Sequence, residues 1–242
     1  MKRFWGPNFD DSGPYLDRFG LLLALAILTI AGLSLVDFVD QPNDTLVALG
    51  AAVTVILVGA TGLVATRASG IKRSRQRIVD IVVLLAVLGS LLTVFVGHPV
   101  EGTNYGSPLP ITLLAICVPI VVIRRLTRHR AVTGSTIMGA IATYLLLPIA
   151  FFHVFLSIQN YMGTPFFGQH EGSTSFIYFS LTTITTTGYG DLTAQTNLGR
   201  LAAMAEAVTG QVYLVTFVAM LVGLAAQNWA AQRRREQDDD DR

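Results

Sequence analysis

The sequence predicts an all-α integral membrane protein: six transmembrane helices, with a short re-entrant helix and an irregular segment between the fifth and the sixth. Three observations carry this. Hydrophobic residues make up 52% of the 242 residues and charged residues 14%, with a mean hydropathy of +0.55, a composition suited to lipid. Six windows approach the roughly 20 apolar residues that cross a hydrocarbon core of about 30 Å, the shorter ones fitting where helices tilt or line a protein interior. Basic residues also collect in alternate loops, the signature of a chain threaded repeatedly through a bilayer.

The spans run from Leu21 to Phe38, Leu46 to Ala65, Ile78 to Val96, Leu109 to Ile123, Ser135 to Ile158 and Leu198 to Ala226. The first is longer than the apolar core of a signal peptide and lacks a small-residue cleavage site, so it is expected to be retained. Lys2, Arg3 and Arg18 precede it; Arg67, Lys72, Arg73, Arg75 and Arg77 lie between the second and third spans; Arg124, Arg125, Arg128 and Arg130 lie between the fourth and fifth; Arg233, Arg234 and Arg235 follow the sixth. The other three loops, residues 39–45, 97–108 and 159–197, contain no Lys or Arg. Both termini are therefore expected in the cytoplasm, and the chain in the plasma membrane in contact with lipid.

These basic loops report topology, and with a formal net charge of +1 they suggest no nucleic-acid partner. No HExxH, nucleophile elbow or phosphate loop is present, so neither enzyme chemistry nor a small-molecule substrate is expected. Cys117 is the sole cysteine and sits within the fourth span, where a buried structural thiol is predicted. Pro119 predicts a bend in that span. Four consecutive aspartates make Glu236 to Arg242 read as a disordered, solvated tail.

The segment between the last two spans is too polar to cross a membrane and too long for an ordinary connection. Within it, Phe176 to Thr185 spans about 15 Å as a helix, enough to dip into a bilayer and return. Ser173, Thr174 and Ser175 offer hydroxyls to cap its start, and Tyr178 and Phe179 supply a packing face. Its C-terminal end, with Thr182, Thr183 and Thr185, carries partial negative charge toward the bilayer centre and favours a cation. Irregular backbone at that depth must be buried in protein or line a water-filled cavity. Thr186 to Gly190 are thus candidates for carbonyls that face an ion, with Gly188 and Gly190 free to take the dihedrals needed to aim them.

Thr185-Thr186-Thr187-Gly188-Tyr189-Gly190-Asp191, after a short aromatic helix and between two spans, resembles the selectivity filter of potassium channels, in the prokaryotic form with six spans and one pore segment per chain. The resemblance implies a homotetrameric pore passing K+ down its gradient. Oxygens of Thr186, Thr187, Gly188, Tyr189 and Gly190 would line the filter, K+ would sit at Thr186, Thr187, Gly188 and Tyr189, and Asp191 at the outer mouth would concentrate cations and bond to the pore helix. It implies no cofactor beyond the permeant ion. Residues 1–20 then form a cytoplasmic segment, 21–130 a peripheral four-helix domain, 131–228 the pore domain and 229–242 an acidic tail. Two positions depart from the family pattern. Thr187 replaces the usual valine and makes the packing behind the filter more polar, and Ala194 replaces a proline.

Gly210, midway along the sixth span, matches a hinge glycine of the family, with close helix packing as the alternative. Glu206, one turn earlier, reads either as a functional acid facing water or as a structural acid behind the filter. The six-span plan raises a voltage sensor, for which Asp80, Arg124, Arg125 and Arg128 are the candidates. Residues 109–123 carry no charge, however, so the arginines lie outside the field and strong voltage gating is not expected. His98 and His170 fall in loops, His153 reads as a packed polar residue, and Trp5 and Trp229 as interfacial anchors. About sixteen residues follow the sixth span, few for a regulatory domain. Two other functions compete: a weakly selective cation channel, on account of Thr187, and a non-conducting subunit or scaffold built on the pore fold.

Overall fold

Helix is the only regular structure among the described residues, as expected where lipid cannot satisfy an open backbone. The computed structural model describes residues 19–36, 44–68, 73–96, 107–127 and 134–240. It contains α1 (Phe19–Val36), α2 (Asp44–Ala68), α3 (Arg73–Val96), α4 (Leu109–Leu126), α5 (Gly134–Met162), α6 (Ser173–Ile184) and α7 (Asn197–Asp240). Among the described residues, four helices carry apolar stretches long enough to cross a membrane: Ala48–Arg67, Gln76–Val94, Leu109–Leu126 and Thr136–Met162. Phe19–Ser34 is a shorter apolar helix. The chain is a multi-pass membrane protein.

Helix α5 is the hub. It packs on α1 and α4 on one side and on α6 and α7 on the other, while α2 bridges α1, α3 and α4, and α1 also reaches α6. A small residue permits two of these approaches at one point. A Cβ on Gly139 would stand 2.8 Å from Cδ1 of Phe19 and 2.9 Å from Cδ2 of Leu126, so α1 and α4 both close on α5 there. By contrast α3 exposes Ile78, Ile81, Val82, Leu84, Leu85, Leu88 and Leu92, a broad apolar face suited to lipid.

Several polar groups inside this bundle are paired, while Ser90 Oγ and His153 Nε2 are buried without a hydrogen-bond partner. Thr29, Thr61 and Thr143 return their hydroxyls to carbonyls four residues back, Leu25, Leu57 and Gly139, at 2.7–2.8 Å. Four residues form a belt between α4 and α5. Ser107 Oγ lies 2.8 Å from His153 Nδ1 and 2.9 Å from Thr112 Oγ1, and Thr112 Oγ1 lies 2.8 Å from Ser157 Oγ. His153 is thus the packed polar residue that the sequence suggests.

Two expectations change. Cys117 is exposed, because the buried face of α4 comprises Ile111, Thr112, Ala115, Val118, Pro119, Val122 and Leu126 and residue 117 points the other way. The acidic tail is helical as far as Asp240, since propagation from a long existing helix through residues 225–237, rich in Ala, Gln and Arg, needs no new nucleus. Among the sensor candidates, Asp80 lies 3.9 Å from Arg67 of α2. Arg124 is exposed and Arg125 half-buried; Arg128, His98 and Trp5 lie outside the described residues, as does the side chain of Trp229.

Candidate ion pathway

Helix α6 is the 12-residue element between α5 and α7, about 18 Å long and too short to cross a membrane. Its N-cap is Gly172, with no side-chain cap. The hydroxyls predicted to cap it go elsewhere: Ser175 Oγ donates to Glu171 Oε2 at 2.7 Å, and Thr174 Oγ1 to the carbonyls of Leu33 and Ser34 at 3.4 Å. Glu171 instead complements the positive end of the helix. The buried face, Phe176, Ile177, Phe179, Ser180 and Ile184, seats α6 against α5 and α7.

At its other end the chain folds back on the helix. Thr186 N–H donates to the Thr183 carbonyl at 3.0 Å, while Thr187 N–H and Gly188 N–H share the Thr182 carbonyl at 2.9 and 3.1 Å. Beyond this anchor φ is positive at alternate residues: 56° at Thr186, 50° at Gly188 and 81° at Gly190. Alternating handedness turns successive N–H groups to one side and the carbonyls to the other. Residues 185–190 are exposed, and a Cβ on Gly188 or Gly190 would meet nothing within 4 Å. Backbone conformation, not space, is what demands glycine there.

The far side of this segment is braced. Tyr178 Oη donates to Asp191 Oδ2 at 2.9 Å, and the rings of Tyr178 and Tyr189 stack at 6.3 Å, 3° from parallel. Desolvation, then the hydrogen bond to Asp191 and its charge, raise the Tyr178 phenol above its ordinary 10.0, so it remains a donor at neutral pH. The Thr187 hydroxyl lies 2.9 Å from that of Thr185. Thr186 Oγ1 donates to the Thr185 carbonyl at 2.7 Å and accepts from Gln211 Nε2 at 3.3 Å.

Behind α6, Ser180 links three helices. Its hydroxyl lies 2.9 Å from the Pro148 carbonyl on α5 and bonds Glu206 Oε1 on α7. Glu206 is fully buried, which puts it behind the helix in this chain. Gly210 sits where α7 meets α6: a Cβ there would come within 2.7 Å of the Ile184 carbonyl oxygen, the close-packing contact of its alternative reading. Tyr213 closes the seam, its hydroxyl 2.9 Å from the Ala140 carbonyl.

The loop before α6 holds the loop after the glycines. Phe166 is buried among Phe155, Phe167, Phe176 and Phe179, with ring centroids 4.9–5.8 Å from it. Its N–H donates to Gln159 Oε1 and its carbonyl accepts from Gln195 N–H, both at 2.9 Å. Ala194 is buried, and its carbonyl accepts from Arg200 Nε at 2.9 Å. Tyr178, Gln211 and Phe166 were missed as site residues from sequence. Gln211 had a signal, a primary amide in the middle of an apolar span, whereas the partners of Tyr178 and Phe166 lie across loops.

Sequence and structure thus bring Thr182, Thr183, Thr185–Asp191, Glu206 and Gly210 to one end of the α5–α7 bundle and leave Asp80, Arg124 and Arg125 outside it. No cluster of His, Cys, Asp or Glu able to hold a metal occurs among the described residues. Residues 141–227, covering α6, the glycine segment and most of α5, match the family model described as Ion channel. That family comprises ion channels rather than enzymes, and its domains typically assemble as oligomers in membranes. Comparison with curated proteins and with solved structures gave no match. Residues 141–227 are thus similar to an ion channel domain, within a multi-pass membrane protein.

Proposed function

We propose that this protein is a potassium-selective channel that conducts K+ passively through a homotetrameric pore. The observation that carries the reading is the alternation of positive φ at Thr186, Gly188 and Gly190 directly after a half-helix whose last carbonyls anchor the segment. In four copies around an axis, carbonyls of Thr186, Thr187, Gly188 and Tyr189 and the hydroxyl of Thr186 replace the hydration shell of K+. Asp191, fixed by Tyr178, stands at the outer mouth. The Thr187 hydroxyl is engaged by Thr185, which favours selectivity in spite of the departure from valine.

Tetramer formation is supported by α7, where Leu198, Leu201, Met204, Val208, Val212 and Val215 are exposed at intervals of three or four residues, a stripe for a neighbouring copy. The basic loops support cytoplasmic termini and an outward-facing mouth in the plasma membrane. The pairing of Asp80 with Arg67 argues against strong voltage gating.

The test is the reversal potential of purified protein in a planar bilayer with K+ on one side and Na+ on the other. The expected reversal lies near the K+ limit and is lost in Gly188→Ala, which must place a Cβ at a φ of 50°. A reversal near zero would make this a weakly selective cation channel. Assembled protein that never conducts would make it a scaffold.

A further inference from the structure

We infer that Gln211 is a specificity-determining residue: its side-chain amide fixes the Thr186 hydroxyl as an oriented acceptor for the innermost ion of the filter. The inference rests on the potassium-channel reading above and adds to it a residue of the inner helix that touches the filter directly.

Thr186 is the only non-glycine residue with positive φ among those described, and a β-branched residue pays for that conformation with strain. It needs fixing from outside its own backbone. A hydroxyl has one proton and two lone pairs. In Thr186 the proton goes to the Thr185 carbonyl at 2.7 Å, and one lone pair accepts from Gln211 Nε2 at 3.3 Å. One lone pair is left, and the rotor that could turn a proton toward the ion is locked. An oxygen held in that state offers a cation negative density only.

Gln211 reaches Thr186 because its neighbour has no side chain. Gly210 lets α7 close on the Ile184 carbonyl, where a Cβ would stand 2.7 Å from the oxygen, so the next residue meets the start of the filter. The sequence supplies the second argument. A primary amide is uncommon within an apolar membrane helix and marks a functional position, and Gln211, exposed in the single chain, lies between Gly210 and Val212 of such a helix. One of its two N–H donors bonds the filter, the hydrogen bond that the structure records for this side chain. With four copies, four such amides ring the inner end of the filter.

The experiment compares wild type, Gln211→Leu, Thr186→Val and the double variant by bi-ionic reversal potential in planar bilayers. On the same purified proteins, the K+ and Na+ concentrations that half-protect against thermal unfolding are measured. Gln211→Leu is expected to lower the K+ to Na+ permeability ratio about five-fold and to raise the half-protecting K+ concentration by a similar factor, the loss of one hydrogen bond. In the Thr186→Val background the same change is expected to do nothing further, since the oxygen it acts through is gone. Unchanged selectivity and K+ protection in Gln211→Leu overturn the inference, as does an equal shift in both backgrounds. Where a variant passes no current, the protection assay alone decides. A wild-type reversal near zero overturns the potassium reading itself, and the inference with it; a selective wild type with an indifferent Gln211→Leu overturns the inference alone.

Discussion

The Ser180 hydroxyl has one proton to give and two acceptors beside it, the Pro148 carbonyl and Glu206 Oε1. One of those contacts must draw its hydrogen from the other partner, which a carboxylic acid or an amide supplies. Glu206→Gln is therefore expected to retain assembly and current. Glu206→Ala removes the bond and leaves a void between α6 and α7, and is expected to cost about 3 kcal/mol of stability, read as a fall in thermal unfolding temperature in detergent. Tyr178→Phe keeps the stack on Tyr189 and loses only the bond to Asp191. It is expected to weaken K+-dependent thermal protection by about 1.5–3 kcal/mol, the worth of a hydrogen bond to a charged acceptor, while leaving unfolding without K+ almost unchanged. The family resemblance set Asp191 against the pore helix, and Glu206 had a place behind the filter as one of two readings, but the partner residues Tyr178 and Ser180 could not be read from the chain. Glycines that need positive φ announce themselves in a sequence, but Tyr178 and Asp191 are thirteen positions apart and nothing in their spacing marks them as partners.

Helices were the legible part, because lipid imposes a length that hydropathy reports directly. The predicted starts of the spans lie within five residues of helix starts: α3 begins at Arg73, not Ile78, and α7 at Asn197, not Leu198. The differences arise where polar residues prolong a helix beyond its apolar run. Less legible was what joins one helix to the next, since the belt of Ser107, Thr112, His153 and Ser157 unites residues up to 50 positions apart. Thr112→Val keeps the shape and deletes the central hydroxyl, leaving Ser157 Oγ without that partner. It is expected to destabilise the α4–α5 contact by about 1–3 kcal/mol, measured by hydrogen exchange of α4 amides. The loop before α6 was read only as polar, yet Phe166 inserts into a buried aromatic cluster and clamps the segment after the glycines.

At the scale of the whole chain, α1 and α4 pack on the α5 of their own chain. Gly20 faces Met138, a Cβ at 20 lying 3.7 Å from the methionine sulfur. With Cys117 replaced by alanine, Gly20→Cys and Met138→Cys are expected to be joined within one chain by a short bifunctional thiol crosslinker, seen as faster migration of a monomer on a denaturing gel. Covalent dimers would mean instead that α1 rests on a neighbouring copy.

The seat of Phe19 beside Gly139 also has a consequence for how the protein is made. The two residues are about 120 positions apart, so at about 5–20 residues per second the ribosome delivers the second some 6–24 s after the first. Throughout that interval the first helix has been inserted without its chief neighbour, and its future contact face, Leu22, Ala26 and Leu33, is lodged in the bilayer or held by the insertion machinery. The four leading helices are accordingly not a module that matures first and docks later. Their assembly waits on the synthesis of the fifth, and a nascent chain arrested before residue 134 is expected to leave α1 open to lipid-phase labelling.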